Sequence, residues 1–87
     1  MMNNDIPTKE RKIYIKLYNN TRLRKFTVFA DTTILEIKDL VEEKSGIPPA
    51  QQRLIYEGRQ LDNDKTPDDY EITDGKTIYM VLNMRGG

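Results

Sequence analysis

The residues that most often carry catalysis are missing from this chain of 87 residues, which contains no cysteine and no histidine. Thiol nucleophiles, imidazole acid–base catalysis and the usual zinc ligands are therefore excluded. The group best placed for chemistry is the C-terminal carboxylate, because Gly86 and Gly87 lack Cβ atoms and can enter a narrow channel. This ending would suit a carboxylate that another protein activates and transfers. From the two glycines alone, however, a frayed terminus without a function is the default interpretation.

Composition excludes several classes of function. No serine or threonine lies in a glycine-flanked nucleophile turn and there is no glycine-rich phosphate loop, so we expect no enzymatic activity, no cofactor and no metal. Basic and acidic residues number 14 each, and this balance argues against nucleic-acid binding. No apolar run is long enough to cross a membrane. We expect one small domain, monomeric, in the cytoplasm and nucleus.

The elements that must position the tail begin with a predicted hairpin. Residues 1–11 are mostly polar, with Ile6 as the one apolar residue besides the two methionines, and are predicted to form a disordered leader. Apolar residues then alternate along two predicted strands, at Ile13, Ile15 and Leu17 and at Phe26, Val28 and Ala30. Arg24 has the same parity as Phe26, so either it lies at the sheet margin or a bulge turns Leu23 inward. Both alternatives are consistent with the sequence.

One amphipathic helix follows the hairpin. Thr33 and Glu36 have the spacing of a capping box, and apolar residues recur at helical intervals behind them. Gly46 and the prolines after it predict the end of the helix, which should run from about Ile34 to Ser45. The helix is therefore predicted to cover one face of the sheet.

The rest of the chain predicts three more strands and one helical turn. Residues 51–56 and 59–61 form a third strand and a short return, and Thr66 caps a turn that begins at Pro67. The last strand, residues 77–82, is apolar on both faces and should lie centrally beside the first. The fold class is therefore α+β, a β-grasp with a mixed sheet of four to five strands packed on one helix. The domain is expected to span residues 12–82, with a flexible tail at 83–87.

The stretch from Gly46 to Tyr56, GIPPAQQRLIY, and the ending Arg85-Gly86-Gly87 resemble the ubiquitin family. The resemblance covers residues 13–87 and implies a protein modifier. Its carboxylate at Gly87, presented by Arg85 and Gly86, would be joined to lysines of target proteins. The implied partners are ubiquitin-type activating and conjugating enzymes, ligases, deconjugating proteases and ubiquitin-receptor domains.

The resemblance also implies a binding surface on the exposed sheet face, centred on Ile55 and Val81, with Tyr79 where ubiquitin has a histidine. Without the resemblance, these residues would be taken for scattered surface apolar side chains. The positions implied to bind partners are Ile47, Arg53, Ile55, Tyr79, Val81, Leu82, Asn83 and Met84. Asn83 replaces an arginine of ubiquitin, which is expected to influence the choice of activating enzyme.

The lysines differ from the family pattern. Arg59 stands in place of the lysine that ubiquitin uses for degradation chains, and Asp74 replaces another chain-forming lysine. Lys38 and Lys44 retain family positions and are the possible acceptors, although Lys38 is expected to be partly buried. We therefore expect attachment mainly as a single unit. The competing hypothesis is a binding module or ubiquitin mimic that acts without conjugation.

Overall fold

The computed structural model describes residues 10–17 and 23–83. Nearly all of the expected leader and the tail residues 84–87 lie outside the described residues. The elements are β1 (Glu10–Leu17), β2 (Leu23–Phe29), α1 (Ile34–Ser45), β3 (Gln52–Tyr56), β4 (Arg59–Gln60) and β5 (Thr77–Leu82), with 3₁₀ turns at Pro49–Gln51 and Asp68–Tyr70. Strand β1 begins at Glu10, so the domain starts two residues earlier than the expected boundary at residue 12.

The five strands form one mixed sheet in the order β2-β1-β5-β3-β4. Strand β5 is central, parallel to β1 and antiparallel to β3. The prediction that the last and most apolar strand lies beside the first is therefore confirmed. Together with helix α1, this order gives the expected α+β, β-grasp architecture.

The core lies between α1 and one face of the sheet. Its buried apolar residues are Ile13, Ile15, Phe26, Val28, Ile34, Ile37, Val41, Leu54, Tyr56, Leu61, Ile72, Ile78 and Met80. Alternation along the strands places these side chains on the helix side and leaves every second residue on the opposite face. That opposite face has no described element packed on it.

Helix α1 begins and ends where its local sequence dictates. The Thr33 hydroxyl accepts a hydrogen bond from the Glu36 N–H at 3.1 Å, and the Glu36 carboxylate accepts one from the Thr33 N–H at 2.9 Å. Gly46 ends the helix with a φ of 80°, in the left-handed region that glycine tolerates best. The capping box and the helix bounds are both confirmed.

The alternatives for the start of β2 are now resolved. Ile15 lies opposite Arg24 and Lys16 lies opposite Leu23 in a regular register. Leu23 is 50 % exposed, so no bulge turns it inward. Arg24 stays on the helix-side parity at the sheet margin, where it lines a groove of about 350 Å³.

The long connection between β4 and β5 is held by contacts to β1 that link distant parts of the chain. The Arg11 guanidinium donates to the Ile72 carbonyl at 2.9 Å and to the Asp68 carboxylate at 3.2 Å. The Lys12 N–H donates to the Asp74 carboxylate at 2.6 Å. These bonds show that Arg11, expected in the leader, is part of the fold. Over the described ranges no helix is long and apolar enough to cross a membrane.

Candidate functional site

Two neighbouring strands bring four of the implied partner-binding residues together on the open face of the sheet. Ile55 lies directly opposite Tyr79, and Arg53 lies directly opposite Val81, in the antiparallel pairing of β3 with β5. Side chains opposite one another in such a pair have Cβ atoms about 5 Å apart. We call Arg53, Ile55, Tyr79 and Val81 the sheet-face patch.

The sheet-face patch is apolar at its centre and cationic at two borders. Ile55 and Val81 are half-buried, whereas Tyr79 is 42 % exposed and Arg53 is exposed. On the β1 side, the Lys16 ammonium lies 5.9 Å from the centre of the Tyr79 ring, within cation–π range. An apolar surface with such borders fits a partner that offers an apolar anchor and acidic groups around it.

The role of Lys16 at this border was missed from the sequence. Lys16 reaches Tyr79 because β1 and β5 are parallel with these two residues in register. The alternation of apolar residues in β1 indicated that Lys16 faces solvent, and this was the sequence signal from which its position at the surface could be predicted. The register that brings it to Tyr79 depends on a pairing between strands separated by some sixty residues of chain.

Two other implied residues lie away from the patch. Leu82 pairs with Gln52 and shares the parity of the buried Met80, so it lies on the helix side of the sheet. Ile47 follows the helix and packs, partly buried, against the core. The structure therefore separates Ile47 and Leu82 from the four residues of the sheet-face patch.

A buried glutamine holds the segment around Ile47, and sequence reasoning did not identify it. The Gln52 amide nitrogen donates to the Lys38 carbonyl at 2.8 Å and to the Ile47 carbonyl at 2.9 Å. Its amide oxygen is buried and, within the described part of the chain, accepts no hydrogen bond. Gln52 is only 4 % exposed, so it ties the helix, the following loop and β3 together from inside.

The start of the tail is anchored to the sheet at Asn83. Its N–H donates to the Gln51 carbonyl at 2.7 Å, which extends the β3–β5 alignment by one residue beyond Leu82. The implied conjugation residues Arg85, Gly86 and Gly87, together with Met84, lie outside the described residues. In the sequence, Gly87 follows Asn83 by four residues.

The two possible acceptor lysines lie in very different surroundings. Lys38 is only 7 % exposed, which confirms that it is partly buried, and burial lowers the pKa of its ammonium group. Lys44 lies in the last turn of α1 and is exposed. A lower pKa would leave more of the Lys38 amine unprotonated, but its burial opposes access by an enzyme. Lys44 is the more accessible of the two.

Arg59 and Asp74, which replace family lysines, both contact other residues of the fold. The Arg59 guanidinium lies 5.4 Å from the centre of the Tyr70 ring. Asp74 accepts the hydrogen bond from the Lys12 N–H described above. Over residues 10–17 and 23–83, no cluster of acidic side chains is suited to hold a metal ion.

Comparison with known proteins agrees with this geometry. Residues 13–85 match the sequence model of the ubiquitin family. The chain is 50 % identical over 54 residues to Ubiquitin-like protein 1 of Schizosaccharomyces pombe, covering 62 % of this chain and 69 % of that protein. It is 52 % identical over 54 residues to Ubiquitin-like protein NEDD8 of Dictyostelium discoideum, covering 62 % and 70 %.

A third similar protein has a different organisation. The chain is 41 % identical over 54 residues to Ubiquitin domain-containing protein DSK2 of Saccharomyces cerevisiae. The match covers 62 % of this chain but only 14 % of that protein. The same fold thus occurs both in short proteins and as a small part of a long one.

Proposed function

This chain belongs to the ubiquitin family, and we propose that it is a protein modifier joined through Gly87 to lysines of target proteins. The observation that carries the proposal is the sequence Arg85-Gly86-Gly87 just beyond the central strand; this sequence begins two residues after Asn83, the last described residue bonded to the sheet. Two glycines on a short tether can enter a narrow catalytic channel while the folded domain stays outside it. Similarity to a NEDD8 protein over most of that protein's length supports the same conclusion.

The proposed chemistry uses the terminal carboxylate and the active sites of other proteins. The carboxylate of Gly87 attacks the α-phosphorus of ATP and forms an acyl adenylate, with pyrophosphate leaving. A cysteine thiolate of the activating enzyme then displaces AMP and forms a thioester, which passes to a conjugating enzyme. Finally a lysine amine attacks the thioester carbonyl, and the thiol leaves as the isopeptide bond forms.

The sheet-face patch is the proposed contact for ubiquitin-receptor domains. Its half-buried aliphatic centre, Ile55 and Val81, offers a small apolar anchor site, and an amphipathic helix could lie across it. Arg53 and Lys16 at the borders would pair with acidic groups of the partner. Arg53 and Arg85 could give the activating and deconjugating enzymes similar contacts.

A second candidate function is a non-conjugated binding module. The similarity to DSK2, of which the match is a small part, is the observation that favours it. The end of the natural reading frame separates the two functions. A frame that stops at Gly87, or continues into a short removable extension, favours a modifier, whereas a further folded domain favours a module.

We expect conjugates to carry this protein mainly as a single unit. Arg59 cannot act as an attacking amine because its guanidinium stays protonated, and the buried Lys38 is hard to reach, which leaves Lys44 as the accessible family position. Expressing a tagged chain in eukaryotic cells and digesting the conjugates with trypsin tests this. Cleavage after Arg85 leaves a Gly-Gly remnant on each modified lysine.

Remnants are expected on lysines of other proteins and only rarely on the lysines of this chain. A tagged chain lacking Gly87 is the matched control, and purification through its tag under denaturing conditions should recover no modified target proteins. Abundant remnants on Lys44 or on other lysines of the chain would contradict single-unit attachment. Recovery of the same modified target proteins with the complete chain and with the chain lacking Gly87 would contradict conjugation through Gly87.

A further inference from the structure

Arg24 interrupts the apolar side of β2. It lies opposite Ile15 in the register of β1 with β2, so both side chains lie on the helix side of the sheet. The other helix-side residues of β2, Phe26 and Val28, are buried, whereas Arg24 is exposed. At this end of β2 no apolar side chain of the strand covers the core, and a groove of about 350 Å³ opens there. We call it the Arg24 groove.

The floor of the Arg24 groove is apolar. It is formed by Ile15, Phe26, Val41 and Met80, each at most 4 % exposed, which come from β1, β2, α1 and β5. Small-molecule sites in proteins are typically apolar clefts of about 300 to 1,000 Å³, and the Arg24 groove lies near the lower limit. It has room for roughly ten non-hydrogen atoms, at about 30 Å³ for each.

The rim of the Arg24 groove is cationic. Arg24 and Lys44 line it, both are exposed, and within the described ranges neither forms an ion pair. The Ser45 hydroxyl also lines the groove, but it already donates to the Val41 carbonyl at 2.7 Å and accepts from the Ile47 N–H at 3.2 Å. None of the described residues that line the groove is acidic. The rim therefore offers two positive charges and no carboxylate to balance them.

The backbone beside the Arg24 groove is already paired. The Tyr14 N–H donates to the Lys76 carbonyl at 2.9 Å, toward β5. Its neighbour Ile15 therefore directs its N–H and C=O toward Arg24 on β2, and Arg24 directs its own toward Ile15. Neither residue offers these groups to an added peptide strand, so recognition in the groove depends on apolar contact and charge. A small amphiphilic anion supplies both.

From these observations we infer that the Arg24 groove binds a small aliphatic carboxylate. The hydrocarbon chain of the ligand lies on the floor against Ile15, Val41 and Met80. Its carboxylate pairs with the Arg24 guanidinium and the Lys44 ammonium. A saturated chain of about eight carbons has the roughly ten non-hydrogen atoms that the groove can hold. The site lies on the opposite side of the sheet from the sheet-face patch and does not depend on conjugation.

The test uses the complete chain, with ¹³C-labelled methyl groups, and sodium octanoate as the probe. We expect saturable shifts at the methyl groups of Ile15, Val41 and Met80, with half-saturation in the low millimolar range that suits about ten non-hydrogen atoms. Octan-1-ol, which has the same chain length without the charge, should bind at least about fivefold more weakly. Butanoate keeps the charge but covers less of the floor, and it should bind at least about tenfold more weakly.

Two substitutions remove the positive charges of the rim one at a time. Arg24→Gln and Lys44→Gln should each weaken octanoate binding at least about fivefold, and the fold should persist because both side chains are exposed. Lys25→Gln is the matched control. It removes one positive charge from the residue next to Arg24, which faces the other side of the sheet and does not line the groove. This variant should bind octanoate within about twofold of the parent chain.

Four results would overturn the inference. The first is the absence of saturable shifts at the methyl groups of the floor. Shifts confined to Ile55 and Val81 would place the probe on the sheet-face patch instead. Equal weakening by Lys25→Gln and Arg24→Gln, or equal binding of octan-1-ol and octanoate, would remove the role of the rim. Shifts at the floor caused by deleting residues 84–87 in the absence of octanoate would show that the chain's own tail already occupies the groove.

Discussion

The Ile55→Ala variant is expected to bind an isolated ubiquitin-receptor domain about 5- to 150-fold more weakly than the parent chain. Truncating a central apolar anchor of an interface typically costs roughly 1 to 3 kcal/mol of binding free energy. Ile55 lies opposite Tyr79 at the centre of the sheet-face patch and is only half-buried. Its loss should therefore reduce the contact area offered to the partner while the core remains filled. Isothermal titration calorimetry measures the change.

The matched control is Leu23→Ala on the same face of the sheet. Leu23 is 50 % exposed on β2, three strands away from β3 and thus about 14 Å from Ile55. This variant should bind the receptor domain as the parent does. If Leu23→Ala weakened binding as much as Ile55→Ala, or if receptor-induced shifts mapped to α1, the assignment of the patch would be wrong.

The Gln52→Leu variant is expected to lower the free energy of unfolding by about 1 to 3 kcal/mol. The substitution removes both hydrogen bonds from the Gln52 amide and leaves the Ile47 carbonyl without this partner. Leaving a buried polar group without a hydrogen bond typically costs about 1 to 3 kcal/mol of stability. For a domain with a total stability of about 5 to 15 kcal/mol, this is a large fraction. Urea denaturation followed by circular dichroism gives the difference.

Gln51→Leu provides the neighbouring control. The Gln51 side chain is exposed, and its contact with Asn83 is made through the backbone carbonyl, so its replacement should change stability by no more than about 0.5 kcal/mol. A Gln52→Leu variant as stable as Gln51→Leu would mean that removing the unpaired amide oxygen of Gln52 offsets the two lost hydrogen bonds.

The elements of the fold could be predicted because local patterns determine them. The capping box at Thr33 and Glu36 and the glycine at 46 fixed both ends of the helix. Alternation indicated which residues of β1 and β2 face the core, and an apolar pattern on both faces of residues 77–82 indicated a central strand. Each of these signals operates over a few residues of chain.

The features that were missed depend on contacts between distant parts of the sequence. Arg11 was assigned to the leader because its neighbours are polar, yet its partners are Asp68 and Ile72. Gln52 shares the parity of Leu54 and Tyr56, but apolar residues on both faces of β3 left open which face meets the core. The contact of Lys16 with Tyr79 needed the β1–β5 register. Only the assembled sheet reveals these relations.

The role of the sheet-face patch also required information beyond alternation. A half-buried isoleucine and valine with an exposed tyrosine are common on protein surfaces. Their significance comes from the pairing that sets them side by side and from membership of the ubiquitin family. The pattern alone would not have distinguished them from the exposed Leu23 or Phe29.

The most direct test of the proposed function is the formation of a thioester at Gly87. The purified chain is incubated with ATP and each of a panel of ubiquitin-family activating enzymes, and the products are separated without reducing agent. The proposal predicts a covalent enzyme–modifier species with at least one enzyme, lost on reduction and absent with a chain lacking Gly87. Failure of every activating enzyme to form that species would contradict the assignment of this protein as a modifier.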